Sequence, residues 1–319
     1  MYKLITHTDL DGAGCAVLAK LAWGDNVDIT YVHNPDEATV EIDKYFTNKE
    51  YRKYNKLYIT DMSFNAALCE KHKEINALGK LFDHHGTAVE PFKNYEWATV
   101  QVTLNDKLTC GTELFYQYLL KKGLIRNRDF FVEQIRLFDT WDWSKGTSKL
   151  PKYLSNVVIE IGLQYFVRTF TERLKMNDLN ELTLLNEEER TILNHSEKQE
   201  AKDIEYFLKQ THIVNLKTKD EGELTIGWVC NNSMYTSLLG NTICREFDVD
   251  IAVMINANRN KIEVRTTREN INLGRIMKTY FSGGGHPKAA GGNIDVTEAM
   301  IRTSLANLGT VTEIVKPVE

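Results

Sequence analysis

Cysteine and proline are scarce in this chain, five of each in 319 residues. The cysteines, Cys15, Cys69, Cys110, Cys230 and Cys244, are odd in number and scattered, and none forms a C-x-x-C pair. That pattern excludes a disulfide scaffold and a cysteine zinc site and fits a reducing compartment. No apolar run approaches the ~18 residues of a membrane span, and Met1-Tyr2-Lys3-Leu4 does not begin the apolar core of a signal peptide, so the chain reads as cytoplasmic. Positive charge is not in excess either: 39 basic against 44 acidic side chains give a net charge of −5, and no global field holds a long nucleic acid. There is no internal repeat and no low-complexity tract. What remains is an ordinary globular composition, 42% hydrophobic and 26% charged. At roughly 150 residues per domain the length suggests two domains.

Short apolar runs alternate with amphipathic ones in the first third. Tyr2–Thr6, Val27–His33, Lys56–Thr60 and Lys80–Phe82 have strand character, while Gly12–Trp23 and Asn65–Leu78 have helical patterns. Strands separated by helices predict a doubly wound parallel sheet, because parallel neighbours need crossover connections. From Gly111 to about Lys209 the pattern is mostly helical, and residues 187–210, charged and free of Gly and Pro, suit a linker helix. Beyond it, strand candidates at Thr211–Leu216, Glu223–Val229, Asp250–Asn256 and Lys261–Thr267, with a helix near Tyr235–Phe247, predict a smaller α+β domain. The expected organisation is thus α/β, with domains at 1–186 and 211–319 joined by the helix at 187–210.

The predicted strands run into acidic and imidazole residues. The first ends at His7-Thr8-Asp9-Leu10-Asp11-Gly12, the third at Asp61-Met62-Ser63, the fourth at Asp83-His84-His85. Strand carboxyl ends of an open parallel sheet share one edge, where ligands bind. A single Asp after a strand more often caps the next helix, but capping does not explain His7 beside two aspartates or Asp83 beside two histidines. Carboxylates gathered this closely repel one another unless cations offset them. Aspartate oxygens with imidazoles and no thiolate suit Mn²⁺, or Mg²⁺ as the alternative ion, and so many ligands suit a pair of ions ~3.5–4 Å apart. Farther on, Phe138-Asp139-Thr140-Trp141-Asp142-Trp143 adds two carboxylates, with Asp139 and Asp142 left as competitors and both tryptophans expected in the core.

A second constellation is Gly283-Gly284-Gly285-His286-Pro287-Lys288-Ala289-Ala290-Gly291-Gly292, which holds five of the 19 glycines. Glycines let backbone N–H groups approach an anion, as in phosphate nests, and His286 and Lys288 add donors. It is not a Walker A loop, since no Ser or Thr follows Lys288. Seven basic residues lie between Asn256 and Gly292, Arg265 among them, against Glu263 and Glu269.

Together HTDLDG, ITDMS, DHH and GGGHPKAAGG resemble the DHH phosphoesterase superfamily, in the branch with a DHH-associated C-terminal domain. That branch includes RecJ-like exonucleases and small oligoribonuclease and pAp-phosphatase proteins. The resemblance implies two manganese ions, with His7 and Asp9 on one, Asp11, His84 and Asp139 on the other, and Asp61 bridging. It implies Asp83 as support for His84, His85 directed at the scissile phosphate, and Arg265, Gly283, Gly284, Gly285 and His286 as substrate-binding residues. It also implies an active site in the cleft between the domains. In many small members three residues separate the first histidine and aspartate; here one does.

The expected activity is manganese-dependent hydrolysis of short oligonucleotides. The alternatives are a pAp phosphatase or a linear or cyclic dinucleotide phosphodiesterase, and, outside enzymes, a nucleotide sensor. The expected partner is a short oligonucleotide or nucleotide, with no membrane and no stable long polymer; a homodimer stays open.

Overall fold

Successive strand residues such as Leu4 and Ile5 send their side chains to opposite faces, so a strand with apolar residues at both parities must be covered on both sides. The computed structural model describes residues 1–176, 179–217, 222–232, 235–281 and 283–294. Its first sheet contains β1 (Tyr2–His7), β2 (Val27–Val32), β3 (Leu57–Thr60), β4 (Gly79–Asp83) and β5 (Ala98–Val100), in the order β2-β1-β3-β4-β5. Every pairing in it is parallel.

Leu4, Tyr58 and Phe82 face one core with α1 (Leu10–Trp23), α6 (Gly111–Lys121), α7 (Asp129–Asp139) and α9 (Leu163–Met176). Ile5, Ile59 and Leu81 face the other, with α2 (Pro35–Thr47) and α5 (Gly86–Phe92). The doubly wound sheet predicted from sequence is therefore present. Its fifth strand was not anticipated: Ala98–Val100 spans three residues, too short for a period-2 pattern. Nor was α2, although Asn34 accepts the Glu37 N–H at 2.9 Å and Pro35 opens the helix, an ordinary start signal.

The helix expected over Asn65–Leu78 is instead two single turns, α3 (Leu68–Lys71) and α4 (Ile75–Leu78). His72 breaks the run with an extended ψ of 83°, and its ring is drawn to Asp43 of α2 at 2.6 Å. A small hairpin, β6 (Thr103–Leu104) and β7 (Lys107–Leu108), precedes α6, and α8 (Leu150–Asn156) follows α7.

The chain divides into compact units at Met1–Ser196 and Glu197–Glu319. That division lies inside α10 (Glu187–Leu208), earlier than residue 211, because Ile204 and Phe207 pack in the second unit's core. The second unit has β8 (His212–Lys217), β9 (Glu223–Cys230), α11 (Thr236–Glu246), β10 (Ile251–Asn256), β11 (Lys261–Arg265), α12 (Leu273–Phe281), β12 (Gly284–Gly285) and β13 (Ala289–Asn293). Its sheet order is β12-β13-β11-β10-β9-β8, with only the β9–β10 pair parallel. The last part of the expected C-terminal domain, 295–319, lies outside the described residues. Among the described residues no helix is long and apolar enough to cross a membrane.

Candidate active site

Four segments converge at the carboxyl edge of the parallel sheet. His7 closes β1, and Asp9 caps α1 by accepting the Gly12 N–H at 3.0 Å. His7 Nδ1 lies 2.9 Å from Asp9 and 3.8 Å from Oδ2 of Asp61, the residue just after β3. His84, just after β4, turns Nε2 towards Oδ1 of Asp61 at 3.2 Å and Oδ2 of Asp11 at 3.6 Å. The short His7–Asp9 spacing therefore still brings both side chains into the cluster.

Within the first unit, two groups have the spacing of cation ligands: His7, Asp9 and Asp61, and Asp11, Asp61 and His84, each with donor atoms within 4.8 Å of one another. Asp61 belongs to both. Asp139, at the end of α7, reaches the opposite side of the His84 ring, its Oδ2 3.4 Å from Nδ1, and does not join either group at that spacing.

Asp142 and Asp139 differ in their surroundings through Arg136. Its guanidinium, almost wholly buried, donates to Asp142 at 3.1 Å, to both Glu133 oxygens at 2.7 Å and to the Leu108 carbonyl at 3.1 Å. Asp142 also accepts from Lys145 at 2.8 Å, so it is held in a surface ion network. We expect Asp142→Asn to cost about 1 kcal/mol of stability and to leave the Mn²⁺ binding midpoint within about threefold. Asp139→Asn is expected to weaken Mn²⁺ by about 10–100-fold, the range for groups that hold or orient ligands. Isothermal titration with Mn²⁺ distinguishes the two; equal effects would contradict this assignment.

Asp83 differs in detail from expectation. Its Oδ1 accepts the backbone N–H of His84 at 2.8 Å and of His85 at 3.2 Å, but the ring it holds is that of His85, with Nδ1 at 2.7 Å. A fully buried carboxylate there is disfavoured by burial, yet His85 and these donors bring it down to about 2. An Nδ1–H donated to Asp83 fixes the ring and its tautomer.

Burial and the neighbouring carboxylates of Asp11, Asp9 and Asp139 push Asp61 well above the usual carboxylate range. Burial, Asp11 and Asp9 do the same to Asp139. Burial alone would lower His7, but the charge and hydrogen bond of Asp9 outweigh it and lift it to about 9. Without another cation the site therefore holds protons where a metal would otherwise supply charge. Oδ2 of Asp61 and Oδ2 of Asp83 are buried with no hydrogen-bond partner. Unpartnered carboxylate oxygens with imidazole and no thiolate fit a hard divalent cation.

Two further residues complete the site without having drawn notice in the sequence. The N–H groups of Gly111 and Thr112, opening α6, donate to Asp11 at 2.6 and 2.7 Å, and Thr112 Oγ1 donates to the Asp11 carbonyl at 2.6 Å. The opening of α6 thereby supplies hydrogen-bond donors to both oxygens of a carboxylate buried to 1% exposure. At Gly111 a Cβ would stand 2.7 Å from Asp61 Cβ and 2.8 Å from its Cα. Their signal was present, a glycine just past a strand and before a helix, but its partner lies 100 positions away. Asp61 itself has φ 53°, the left-handed region, which Asp and Asn tolerate better than most side chains.

In the second unit, the glycine motif is a hairpin, β12 and β13 flanking His286-Pro287-Lys288. Its local logic is close backbone approach: a Cβ on Gly283 would stand 2.1 Å from the Gly291 carbonyl oxygen. The Gly283 N–H donates to the Met277 carbonyl of α12, and that of His286 to the Ala289 carbonyl within the hairpin. Lys288 donates to the Arg268 carbonyl and pairs with Glu269 at 3.2 Å. Arg265, 8% exposed, donates to the Val264 carbonyl and Ser237 Oγ, both at 2.8 Å, while its Nε has no partner. A buried guanidinium with a free donor is suited to an anion.

Comparison with known proteins agrees with this geometry. Residues 226–306 match the DHHA1 domain. Over 304 residues, 92% of this chain and 73% of the relative, the sequence is 33% identical to oligoribonuclease NrnB of Bacillus subtilis. The fold resembles that of the pGpG-specific phosphodiesterase PggH from Vibrio cholerae, with a TM-score of 0.52 at 15% identity over 97% of this chain and 98% of that one. It also resembles RecJ from Thermus thermophilus in complex with Mn²⁺, with a TM-score of 0.53 at 14% identity, covering 96% of this chain and 51% of that one. With its parallel sheet, its aspartate and histidine edge and its C-terminal DHHA1 match, the chain belongs to the DHH phosphoesterase superfamily.

Proposed function

We propose that the protein is a manganese-dependent phosphodiesterase that hydrolyses short oligonucleotides in the cytoplasm. The observation that carries this reading is Asp61, buried, unpartnered at Oδ2 and shared by two ligand groups. His7 and Asp9 would hold one ion, Asp11, His84 and Asp139 the other, and Asp61 would bridge them. Bound ions would supply Lewis acidity and lower the pKa of water at the site. The chain's own residues do the rest. Asp83 orients His85, whose ring would neutralise charge growing on a phosphoryl oxygen. The α6 N-terminus holds the Asp11 carboxylate in place through the Gly111 and Thr112 N–H groups. Arg265, with the hairpin of Gly283, Gly284, Gly285 and His286, would take a substrate phosphate, giving 1–186 the chemistry, 187–210 the link and 211–319 the grip on substrate.

Net acidity with a local basic stretch favours short substrates over long polymers, which need an extended basic track. Identity to a protein named an oligoribonuclease supports RNA of a few nucleotides. Reduced thiols at Cys15, Cys69, Cys110 and Cys244, all buried, suit the cytoplasm.

The test is purified protein with Mn²⁺, Mg²⁺ or EDTA on end-labelled RNAs and DNAs of two to five nucleotides, pAp and cyclic dinucleotides. The expected result is mononucleotide release from the short RNAs that requires Mn²⁺ and ends with EDTA. Turnover confined to pAp or to a cyclic dinucleotide would replace this reading with the corresponding phosphatase or phosphodiesterase. Nucleotide binding without any hydrolysis would make the protein a sensor.

A further inference from the structure

The two tryptophans that follow Asp139 are not part of the core, contrary to what their apolar character suggested. Trp141 and Trp143 are each only partly buried, and neither joins the clusters that cover the sheet. They form an ordered group instead. Trp141 meets Trp143 edge-on, centroids 5.1 Å apart at 69°, and Trp143 stacks on Phe138 at 6.4 Å and 16°. Trp141 sits in the left-handed region, φ 64° and ψ 9°, an uncommon place for a bulky side chain. Such a conformation is strained and persists only where the surroundings over-determine it.

The surroundings here are explicit. Arg136 ties Asp142 to Glu133 and to the Leu108 carbonyl at the base of the β6–β7 hairpin, and Lys145 holds Asp142 from the other side. Trp141 is thus flanked by a clamped aspartate on one side and, two residues earlier, by Asp139, whose Oδ2 lies 3.4 Å from His84. Two residues of chain span at most about 7 Å, which is within the reach of a nucleotide from phosphate to base. The turn holds a large aromatic side chain partly in solvent, two residues along the chain from Asp139.

We propose that Trp141, backed by Trp143, is a nucleobase-stacking subsite that selects base-bearing substrates. This rests on the phosphodiesterase reading above and adds a substrate feature to it. A π-face that any base can meet gives affinity without sequence preference, as a protein that degrades mixed short oligonucleotides requires. Arg136 restrains the backbone beside Trp141 through Asp142, which reduces the entropy lost when a base stacks there.

The experiment compares kcat/KM on an RNA dinucleotide with that on the same dinucleotide lacking the base on either nucleotide, for wild type, Trp141→Ala and Trp141→Phe, with Mn²⁺ binding and thermal unfolding measured on each. Base–aromatic stacking, worth about 1–3 kcal/mol per base, predicts that wild type prefers the base-bearing dinucleotide by about 5- to 150-fold over one of the two abasic forms. Trp141→Ala should bring that ratio close to one, and Trp141→Phe should restore most of it. Equal losses on both substrates in Trp141→Ala would overturn the proposal and make Trp141 a support for Asp139. An unchanged ratio would overturn it as well. Either result leaves the phosphodiesterase reading intact, whereas wild type inactive on every dinucleotide overturns both.

Discussion

Asp61→Asn is expected to abolish hydrolysis while making the cation-free protein more stable. The opposite signs follow from one cause. In the absence of metal, Asp61 is a fully buried carboxyl pressed by burial and by Asp11, Asp9 and Asp139, with one oxygen unpartnered. An amide of the same shape removes that charge, can donate to the neighbouring carboxylates and accepts the left-handed φ of 53°. Relieving a buried unsatisfied group is worth about 1–3 kcal/mol, or roughly 2–12 °C in Tm. With Mn²⁺ present the ranking reverses, since the variant lacks the shared anionic ligand. Losing several kcal/mol of charge stabilisation lowers kcat/KM by about 10³-fold or more.

The pH dependence has a definite sign. A carboxyl whose folded pKa is raised contributes stability at acid pH that is lost as pH climbs through that value, and Asp61 and Asp139 are both raised. The cation-free wild type therefore loses stability from about pH 4 upward, and Mn²⁺, which displaces those protons, restores it. The Mn²⁺-induced rise in Tm should be small at pH 5, larger at pH 8 and absent in Asp61→Asn, as differential scanning calorimetry would show. A pH-independent rise, or retention of a tenth of the activity by the variant, would refute this account.

Gly111→Ala carries the second large effect, though it removes no functional group. The added Cβ would stand 2.7 Å from Asp61 Cβ and 2.9 Å from its backbone nitrogen, so α6 or the end of β3 must shift. Overpacking of this kind costs about 1–3 kcal/mol. The shift also draws the Gly111 and Thr112 N–H groups from Asp11, where both bonds are now 2.6–2.7 Å. A displacement near 1 Å at a reacting centre costs about 10²-fold. The expected variant is folded, melts several degrees lower and has kcat/KM about 10²-fold down. Thr112→Val, which keeps the backbone donors and loses the hydroxyl bonds to the Asp11 carbonyl and to Cys15 Sγ, should retain most activity. If Gly111→Ala matches wild type in both rate and Tm, the packing argument fails.

Local pattern was enough to read most of the elements. Four of the five parallel strands appear close to the expected residues, because a buried strand needs a dense apolar run. The helix over Asn65–Leu78 was misread for the converse reason: its apolar residues permit a helix, but the His72–Asp43 contact, 29 positions apart in sequence, breaks it. The site residues His7, Asp9, Asp11, Asp61, Asp83, His84 and His85 were legible from sequence because catalysis concentrates unlike a core does, placing acids and imidazoles directly after apolar strands.

What the sequence alone determined was the set of chemistry-bearing side chains, their attachment to strand ends and hence the shared edge they occupy, since parallel topology puts all strand carboxyl ends together. Only the tertiary structure decided which partners they take: Asp139 for His84 with Asp142 given to Arg136, Asp83 for the ring of His85, and the α6 N-terminus for Asp11. Those choices depend on distances of a few tenths of an ångström between segments up to 100 residues apart, set by close packing and by the steep fall of hydrogen bonding with distance. No local pattern encodes them.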